Sequence, residues 1–264
     1  MCAMTTRALH ATDRTLLRLS GPDVRDFLQG LVTNDVRRLD EGPVYTALLS
    51  PQGKYLFDFF LLPDGDDVLL DVKADRAAAL AQRLAMYRLR AKVAIAPTDL
   101  AVVAGTGTPP DGAFADPRDR ALGWRAVVAD PVAFLGSLAP LDRADLEALR
   151  VERVVPESGI ELVPDDSYIL EMGFERLHGV DFRKGCYVGQ EVTARMKHKT
   201  ELRKGLARVR IEGPAPPPGT EIQAGGRSAG TLLSSAGGHA LAHLRFDRAV
   251  GELTAGDARL TRED

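Results

Sequence analysis

The stretch D-F-R-K-G-C-Y-V-G-Q-E-V-T-A-R-M-K-H-K, from Asp181 to Lys199, decides how the rest of the chain is interpreted. It places Cys186 between two glycines, Gly185 and Gly189. Glycine allows a positive φ and a close approach of the backbone to a neighbour, so this spacing predicts a shaped turn. Apolar side chains recur at helical spacing after the second glycine, which predicts a helix that begins near Gly189.

Two charges favour a thiolate at Cys186. Lys184 lies two residues before the thiol, and the predicted helix would direct its partly positive N-terminus towards the loop. Cys186 is therefore a candidate reactive thiol if it is exposed. The alternative is a buried cysteine that acts as a small apolar side chain, and the residue pattern leaves both interpretations open.

Length and composition limit the classes of protein. A chain of 264 residues predicts two or three compact units. A net charge of −3 argues against nucleic acid as a partner. Two cysteines form neither a disulfide framework nor a metal-binding spacing, so we expect a reducing compartment and no metal site. No apolar run is long enough to span a bilayer and no secretory signal is visible, which predicts a cytoplasmic protein with no membrane partner.

A hairpin is the clearest element in the first third of the chain. Tyr45 to Leu49 and Tyr55 to Leu62 are typical of strands, and S-P-Q-G between them is typical of a tight turn. Asp58 lies inside the second strand, where alternation places it on the face opposite Phe57 and Phe59. It is either a site residue or a solvent-facing strand residue.

The elements predict an α+β fold in three parts. Residues 1–96 form an N-terminal α+β unit that is completed by later segments, and residues 97–199 form a second α+β unit that carries the cysteine motif. Four short alternating strands after Leu206 predict a β-barrel over residues 200–264. Two helix starts are also predicted from their capping residues, one at Ser20 with Asp23 at its third position and one at Asp75.

K-G-C-Y-V-G-Q-E, from Lys184 to Glu191, resembles the signature of the YgfZ-type folate-binding proteins. These are relatives of the aminomethyltransferase (T-protein) of the glycine cleavage system, and the mitochondrial iron–sulfur assembly factor of the same family carries a similar motif. F-L-Q-G-L-V-T-N-D from Phe27 and L-R-V-E-R-V-V-P-E-S-G-I-E-L from Leu149 extend the resemblance. It implies an aminomethyltransferase-like folate-binding fold with a C-terminal β-barrel, and tetrahydrofolate or a folate derivative as the cofactor.

The resemblance also implies roles for individual residues. Glu152 corresponds to the carboxylate that holds the pterin in the aminomethyltransferases. Asp58 is the one aspartate left where those relatives carry G-G-x-x-D-D, because Phe57 takes the other position. Cys186 is implied as the catalytic residue. The remaining implied cofactor-binding residues are Glu171, Lys184, Gln190, Glu191 and Arg195, the last in a basic cluster that suits the glutamate tail of a folate. Surface charges at a helix C-terminus are the alternative for that cluster.

The function implied is a tetrahydrofolate-binding protein that supports iron–sulfur cluster assembly or repair, with iron–sulfur assembly proteins or client enzymes as partners. A single thiol cannot hold a cluster, which takes four ligands, so Cys186 is expected to act in a transient thiol step or to shape the pocket. The alternatives are a folate-dependent aminomethyl or one-carbon transferase and a non-enzymatic scaffold. The residues leave open whether a reaction is catalysed.

Overall fold

The computed structural model describes residues 5–198 and 201–263. Its helices and strands are β1 (Arg7–His10), β2 (Arg14–Ser20), α1 (Val24–Gln29), β3 (Val44–Leu49), β4 (Tyr55–Asp64), β5 (Asp67–Lys73), α2 (Ala77–Arg88), β6 (Ala94–Pro97), β7 (Ala101–Thr106), β8 (Phe114–Ala115), β9 (Trp124–Val128), α3 (Pro131–Leu135), β10 (Ala139–Pro140), α4 (Arg143–Glu152), α5 (Gln190–His198), β11 (Lys204–Glu212), β12 (Glu221–Ala224), β13 (Arg227–Ala236), β14 (His239–Arg245), β15 (Leu253–Ala255) and β16 (Ala258–Glu263).

The first sheet has the strand order β3-β4-β5-β2-β6, and every neighbouring pair is antiparallel. The predicted hairpin is confirmed, since β3 and β4 pair directly across the S-P-Q-G turn. Phe57 and Phe59 pack on the face of this sheet that also buries apolar side chains of α1 and α2. Phe60 packs on the other face, towards the second sheet. Both faces are covered, so β4 is buried over eight consecutive residues.

The second sheet has the strand order β10-β1-β7-β9-β8. Its outer face holds a small core around Trp124, with the short helix α3 against it. Gly105 allows that packing, because a Cβ at this position would lie 2.2 Å from the Trp124 ring. The N-terminal strand β1 belongs to this second sheet and not to the sheet built from residues 14–97.

The predicted C-terminal β-barrel is confirmed. Six strands close in the order β11-β14-β13-β12-β15-β16 around a core of small and branched apolar residues. The alternating pattern predicted four of these strands, and the last two, β15 and β16, were missed. Closure pairs β16 with β11 and thereby leaves no unpaired edge.

Residues 153–189 are all described, and they form turns instead of a helix or a strand. Main-chain hydrogen bonds tie this segment to the first sheet: Tyr55 N–H donates to Ser167 O, and Asp181 N–H donates to Thr33 O. These bonds satisfy backbone groups that a buried turn would otherwise leave unpaired. The segment therefore lies fixed across the sheet and delivers the cysteine motif to its end.

Both predicted helices are present, as α1 and α2, but neither is capped by the predicted residue. Ser20 is the last residue of β2, paired with Ala94, and α1 begins only at Val24 with Asp23 as its N-cap residue. Asp75 lies within a 3-10 turn, and α2 begins two residues later. In each case the predicted capping residue belongs to the preceding strand or turn, so the helix begins further along the chain.

A buried chain of ion pairs joins the two sheets. Asp71 on β5 accepts from Arg14 Nε at 2.6 Å and from Arg125 Nη1 at 3.0 Å. Arg125, on β9, also reaches Asp116 at 3.2 Å, and Arg118 lies 2.8 Å from the same carboxylate. Burial opposes ionisation of Asp116, yet the two arginines outweigh it and hold the pKa of Asp116 below its usual range. The chain therefore alternates in charge, so that no ion is left uncompensated.

Asp71→Asn should lower the free energy of unfolding by about 3 kcal/mol or more, because the substitution removes the carboxylate paired with buried Arg14 and leaves Arg125 with Asp116 alone. Denaturant unfolding of the purified protein measures the change. Asp67→Asn, at the start of the same strand, is the matched control: its partner Arg18 is over a third exposed, so the loss should stay below about 1 kcal/mol. Equal losses in the two variants would contradict a special role for the buried chain.

Candidate functional site

The cysteine loop, residues 184–189, is fixed at both ends and exposed in the middle. Cys186 is exposed, which removes the interpretation of it as a buried apolar side chain. On one side of it, Lys184 is buried. On the other side, the main-chain N–H of Tyr187 donates to Gln190 Oε1 at 3.2 Å. The predicted helix is confirmed as α5, which begins one residue after Gly189.

Lys184 fastens the loop to the end of α1. Its ammonium donates to Gln29 O at 2.5 Å and to Val32 O at 2.6 Å, and Gln29 Nε2 donates back to Lys184 O at 3.3 Å. Burial lowers the pKa of Lys184 to about 8. A neutral amine retains two N–H groups, enough for the two carbonyl acceptors, so the attachment does not require the charge.

Gly189 fastens the other end through a close contact with the β3–β4 turn. Its φ is 83°, and a Cβ at this position would lie 2.5 Å from Ser50 O and 3.0 Å from Gly53 Cα. Gly53 is equally constrained, since a Cβ there would lie 2.7 Å from Val192 Cβ. Both turns therefore require glycine, and their contact sets the position of the cysteine loop relative to β4.

A cavity of about 480 Å³ lies between the two sheets and helix α4. That volume is within the range of small-molecule sites. One part of its wall is apolar, formed by Leu9, Ala104, Leu122 and Trp124. The polar part of the wall consists of Asp13, Arg14, Asp58, Lys73, Asp116, Arg118, Arg125, Arg143, Glu147, Arg150 and Glu157.

Asp58 is the predicted site residue that lines this cavity. It is 6% exposed, and it accepts from Tyr45 Oη at 3.0 Å and from Tyr55 Oη at 2.8 Å. Burial and the neighbouring carboxylate raise the pKa of both tyrosines, so the hydroxyls remain donors. The predicted orientation of Asp58 is confirmed, because Phe57 and Phe59 join one core, whereas the two tyrosines that donate to Asp58 belong to the core on the other face.

The mouth of the cavity carries a second ionic cluster. Lys73 Nζ lies 2.7 Å from Asp13 and also contacts Glu157, and Arg143 lies 2.5 Å from Asp13. Burial works against ionisation of Asp13, but Arg143 and Lys73 hold its pKa below the usual range. Arg143 is 57% exposed, which places a cation where the cavity meets solvent.

The structure does not bring the other predicted site residues to this cavity. Glu152 is exposed at the end of α4, because a residue two positions after the inward-facing Arg150 points to the far side of a helix. Glu171 lines a smaller cavity beside the barrel and lies 3.3 Å from His243 Nε2. The remaining five predicted residues belong to the cysteine loop and α5: Lys184, Cys186, Gln190, Glu191 and Arg195. Glu191 and Arg195 are exposed.

Sequence reasoning missed several charged residues of the cavity wall, and Asp71, which is paired with two of them. Asp71 in V-L-L-D-V and Arg125 in W-R-A-V-V are charged residues inside apolar strands. The same feature identified Asp58 as a candidate. A charge within a buried strand needs a partner, so these positions could have been paired with each other. Asp116, Arg118 and Glu157 lie in turns, where no periodicity marks them.

The fold and the cavity define a class of protein, that of the aminomethyltransferase-like fold. The solved structure of the glycine cleavage system aminomethyltransferase T from Bartonella henselae superimposes with a TM-score of 0.80 at 15% identity, over 98% of this chain and 84% of that chain. Residues 203–263 match the family model described as CAF17, C-terminal beta-barrel domain. The predicted aminomethyltransferase-like fold is therefore confirmed.

The particular family follows from the sequence relatives. The iron–sulfur cluster assembly factor IBA57, mitochondrial, of Homo sapiens is 34% identical over 91% of this chain and 78% of the relative. The factor of the same name from Mus musculus is 32% identical over the same shares, and the homologue from Pyricularia oryzae is 31% identical over 89% and 70%. The chain belongs to this IBA57 family. The names of these relatives place them in mitochondria, and the cytoplasmic location of this chain stays a prediction.

The lowered pKa of Lys184 predicts a pH dependence that Lys184→Met removes. Between about pH 8 and 10.5 the unfolded chain retains a proton that folded Lys184 has lost, so the free energy of unfolding rises with pH across this window. The measurement is the difference in unfolding free energy between wild type and variant at several pH values. It should shift in favour of the wild type as the pH rises, and a constant difference would contradict the assignment.

Proposed function

We propose that this chain supports iron–sulfur cluster assembly or repair and that it binds tetrahydrofolate, or a folate derivative, in the cavity at Asp58. Membership of the IBA57 family supports the first part, since its relatives are named as iron–sulfur cluster assembly factors. The observation that carries the second part is a buried carboxylate at the wall of a cavity of about 480 Å³. A relation to the YgfZ-type folate-binding proteins belongs to the same proposal.

Asp58 has the hydrogen-bonding capacity that a pterin requires. The amino-pyrimidinone edge of a pterin presents two parallel N–H donors, which a carboxylate accepts together. Tyr55 donates to Oδ1 of Asp58 and Tyr45 donates to Oδ2. Each carboxylate oxygen accepts more than one hydrogen bond, so both retain an acceptor position for the ligand. The two tyrosines hold the carboxylate in one orientation before a ligand arrives.

Groups on the cavity wall can make the pterin and tail contacts that the sequence motifs assign to Glu152 and Arg195. Asp58 and Glu157 are carboxylates on its wall, while Glu152 points to solvent. Leu9 and Leu122 offer apolar surface to the flat rings. Arg143 at the mouth is the cation that suits the carboxylate tail of a folate, because such a tail extends towards solvent.

Phe57 bears on the alternative of aminomethyl transfer. The side chain lies in the core on the far face of β4, with the Arg76 guanidinium 5.0 Å from its ring. An aspartate at this position would therefore not reach the cavity. Phe57 stands where the aminomethyltransferases have an aspartate, but that position does not face the cavity. The substitution therefore does not argue against aminomethyl transfer. Asp58 is the position on which any chemistry in this cavity would depend.

Calorimetric titration of the reduced protein with tetrahydrofolate tests the cavity. We expect saturable binding by the wild type and a loss of about tenfold or more in Asp58→Asn, because one charged acceptor becomes an amide. Glu152→Gln is the matched control and should bind as the wild type does. Binding lost in Glu152→Gln and kept in Asp58→Asn would overturn the assignment of the pterin contact, and no binding by the wild type would overturn the folate proposal.

The role of Cys186 rests on how the loop presents it. Its thiol is exposed, while Lys184 and Gly189 on either side are fixed to α1 and to the β3–β4 turn. An exposed thiol on a fixed turn can meet a partner protein without a rearrangement of the fold. We therefore assign Cys186 to a transient thiol contact with an assembly protein or a client enzyme.

Complementation of a strain that lacks this protein tests that assignment. Cys186→Ser should fail to restore the activity of an iron–sulfur enzyme to more than a small fraction of the wild-type level, with unchanged protein abundance. Cys2→Ser is the control, since it removes the other thiol of the chain, and it should restore activity in full. Full restoration by Cys186→Ser would exclude the thiol from the function.

A further inference from the structure

One segment of this acidic chain carries only positive charges. From Arg76 to Thr98 there are five cations, Arg76, Arg83, Arg88, Arg90 and Lys92, and not one aspartate or glutamate. The net charge of the whole chain is −3, so the asymmetry is local. The segment comprises α2, the turn after it and the edge strand β6.

Helix α2 has an outer face that is more apolar than that of a typical solvent-exposed helix. Its inner side buries Ala77, Leu80 and Leu84 against the first sheet. Its exposed positions include three alanines and Met86, which is 65% exposed. Leu89 follows directly and is 91% exposed. Of the six exposed positions of α2, only Gln82 and Arg88 are polar, and so apolar an outer side is a reason to look for a surface that covers it.

Leu89 occupies a backbone conformation that usually requires glycine. Its φ is 41° and its ψ is −101°, at the position that ends α2. A branched side chain in such a conformation costs stability, and an outlier of this kind at the surface is a reason to look for a function. Folding alone would favour glycine here, since the exposed leucine side chain gains little from the protein core.

The cations at the end of α2 are available to a ligand. Arg76 points inwards to the Phe57 ring, but within residues 5–198 and 201–263 no carboxylate lies within 4.0 Å of the charged groups of Arg83, Arg88, Arg90 or Lys92. Arg88 Nη1 donates to Val93 O at 3.2 Å. An acidic side chain approaches at one point, where Asp23 accepts from the main-chain N–H of Lys92 at 2.7 Å.

We propose that residues 83–92, the α2 tip, dock on an anionic lipid bilayer, with Met86 and Leu89 inserted between headgroups and the four cations in contact with lipid phosphates. Clusters of this size beside exposed apolar side chains are typical of peripheral binding to acidic lipids. The prediction of no membrane partner rested on the lack of a run that spans a bilayer, and a peripheral contact requires no such run. Among residues 5–198 and 201–263, no helix has the length and apolar character of a membrane span.

A lipid surface fits these observations better than a protein partner. A stable protein interface buries about 800 Å² on each side around a packed aromatic or aliphatic centre. The α2 tip offers two large apolar side chains that project from a helix end, with small alanines beside them. A bilayer accepts projecting side chains without a complementary recess, and each cation adds to its affinity.

Cosedimentation with vesicles tests the proposal, using equimolar phosphatidylcholine and phosphatidylglycerol beside phosphatidylcholine alone. We expect the wild type to bind the anionic vesicles and not the neutral ones. Leu89→Gly should weaken binding about tenfold, because one inserted side chain is lost. The same variant should unfold at an unchanged or higher temperature, since glycine tolerates the backbone conformation, and this result separates lost docking from a damaged fold.

Two further variants complete the experiment. Arg90→Gln combined with Lys92→Gln should also weaken binding to anionic vesicles. Val250→Glu, at an exposed apolar position that is 73% accessible on the barrel, is the matched control and should bind as the wild type does. Absence of binding to anionic vesicles would overturn the proposal. Binding that Leu89→Gly leaves unchanged would also overturn it, because simple charge adsorption, to lipid or to any acidic protein, does not require the leucine.

Discussion

The arrangement of the two sheets depends on an alternating row of charges between them. Arg14 and Asp71 belong to the first sheet, Arg125 belongs to the second, and Asp116 and Arg118 continue the row beside it. The three guanidinium groups also lie 4.3 to 5.5 Å from the centre of the Phe60 ring, which therefore packs against cations as well as against its apolar neighbours. All members of the row except Asp71 line the cavity between the sheets.

Periodicity and turn chemistry predicted the fold well where an element is regular. The β3–β4 hairpin, helix α5 and the barrel follow from alternation, glycine positions and helical spacing, and each lies where it was predicted. Of the two missed strands, β15 has only three residues, and β16 depends on closure of the barrel, which is a long-range pairing with β11. The capping signal at Ser20 failed because this residue pairs with Ala94 in the first sheet, and the signal at Asp75 failed because a local 3-10 turn over Ala74–Arg76 precedes α2.

The site shows the same division between local and long-range information. Asp58 could be located because a charge in an apolar strand is visible in the sequence, and its orientation followed from strand alternation. Glu152 was assigned from the motif alone. Because residues two positions apart point to opposite sides of a helix, Glu152 faces solvent while Arg150 faces the cavity. Lys73, Glu157 and Arg143 come from three separate elements, so only the fold brings them to one mouth.

The paired glycines at positions 53 and 189 have a consequence for how this chain can change. At each position, the segment around the other glycine leaves no room for a side chain. Neither turn can therefore change its length or its sequence independently of the other. The β4–β5 turn, by contrast, reaches solvent at Gly65, where an added Cβ would meet no neighbour. The β4–β5 turn is therefore the place for a label or an epitope. A substitution in the β3–β4 turn would persist only together with a compensating change in the cysteine loop.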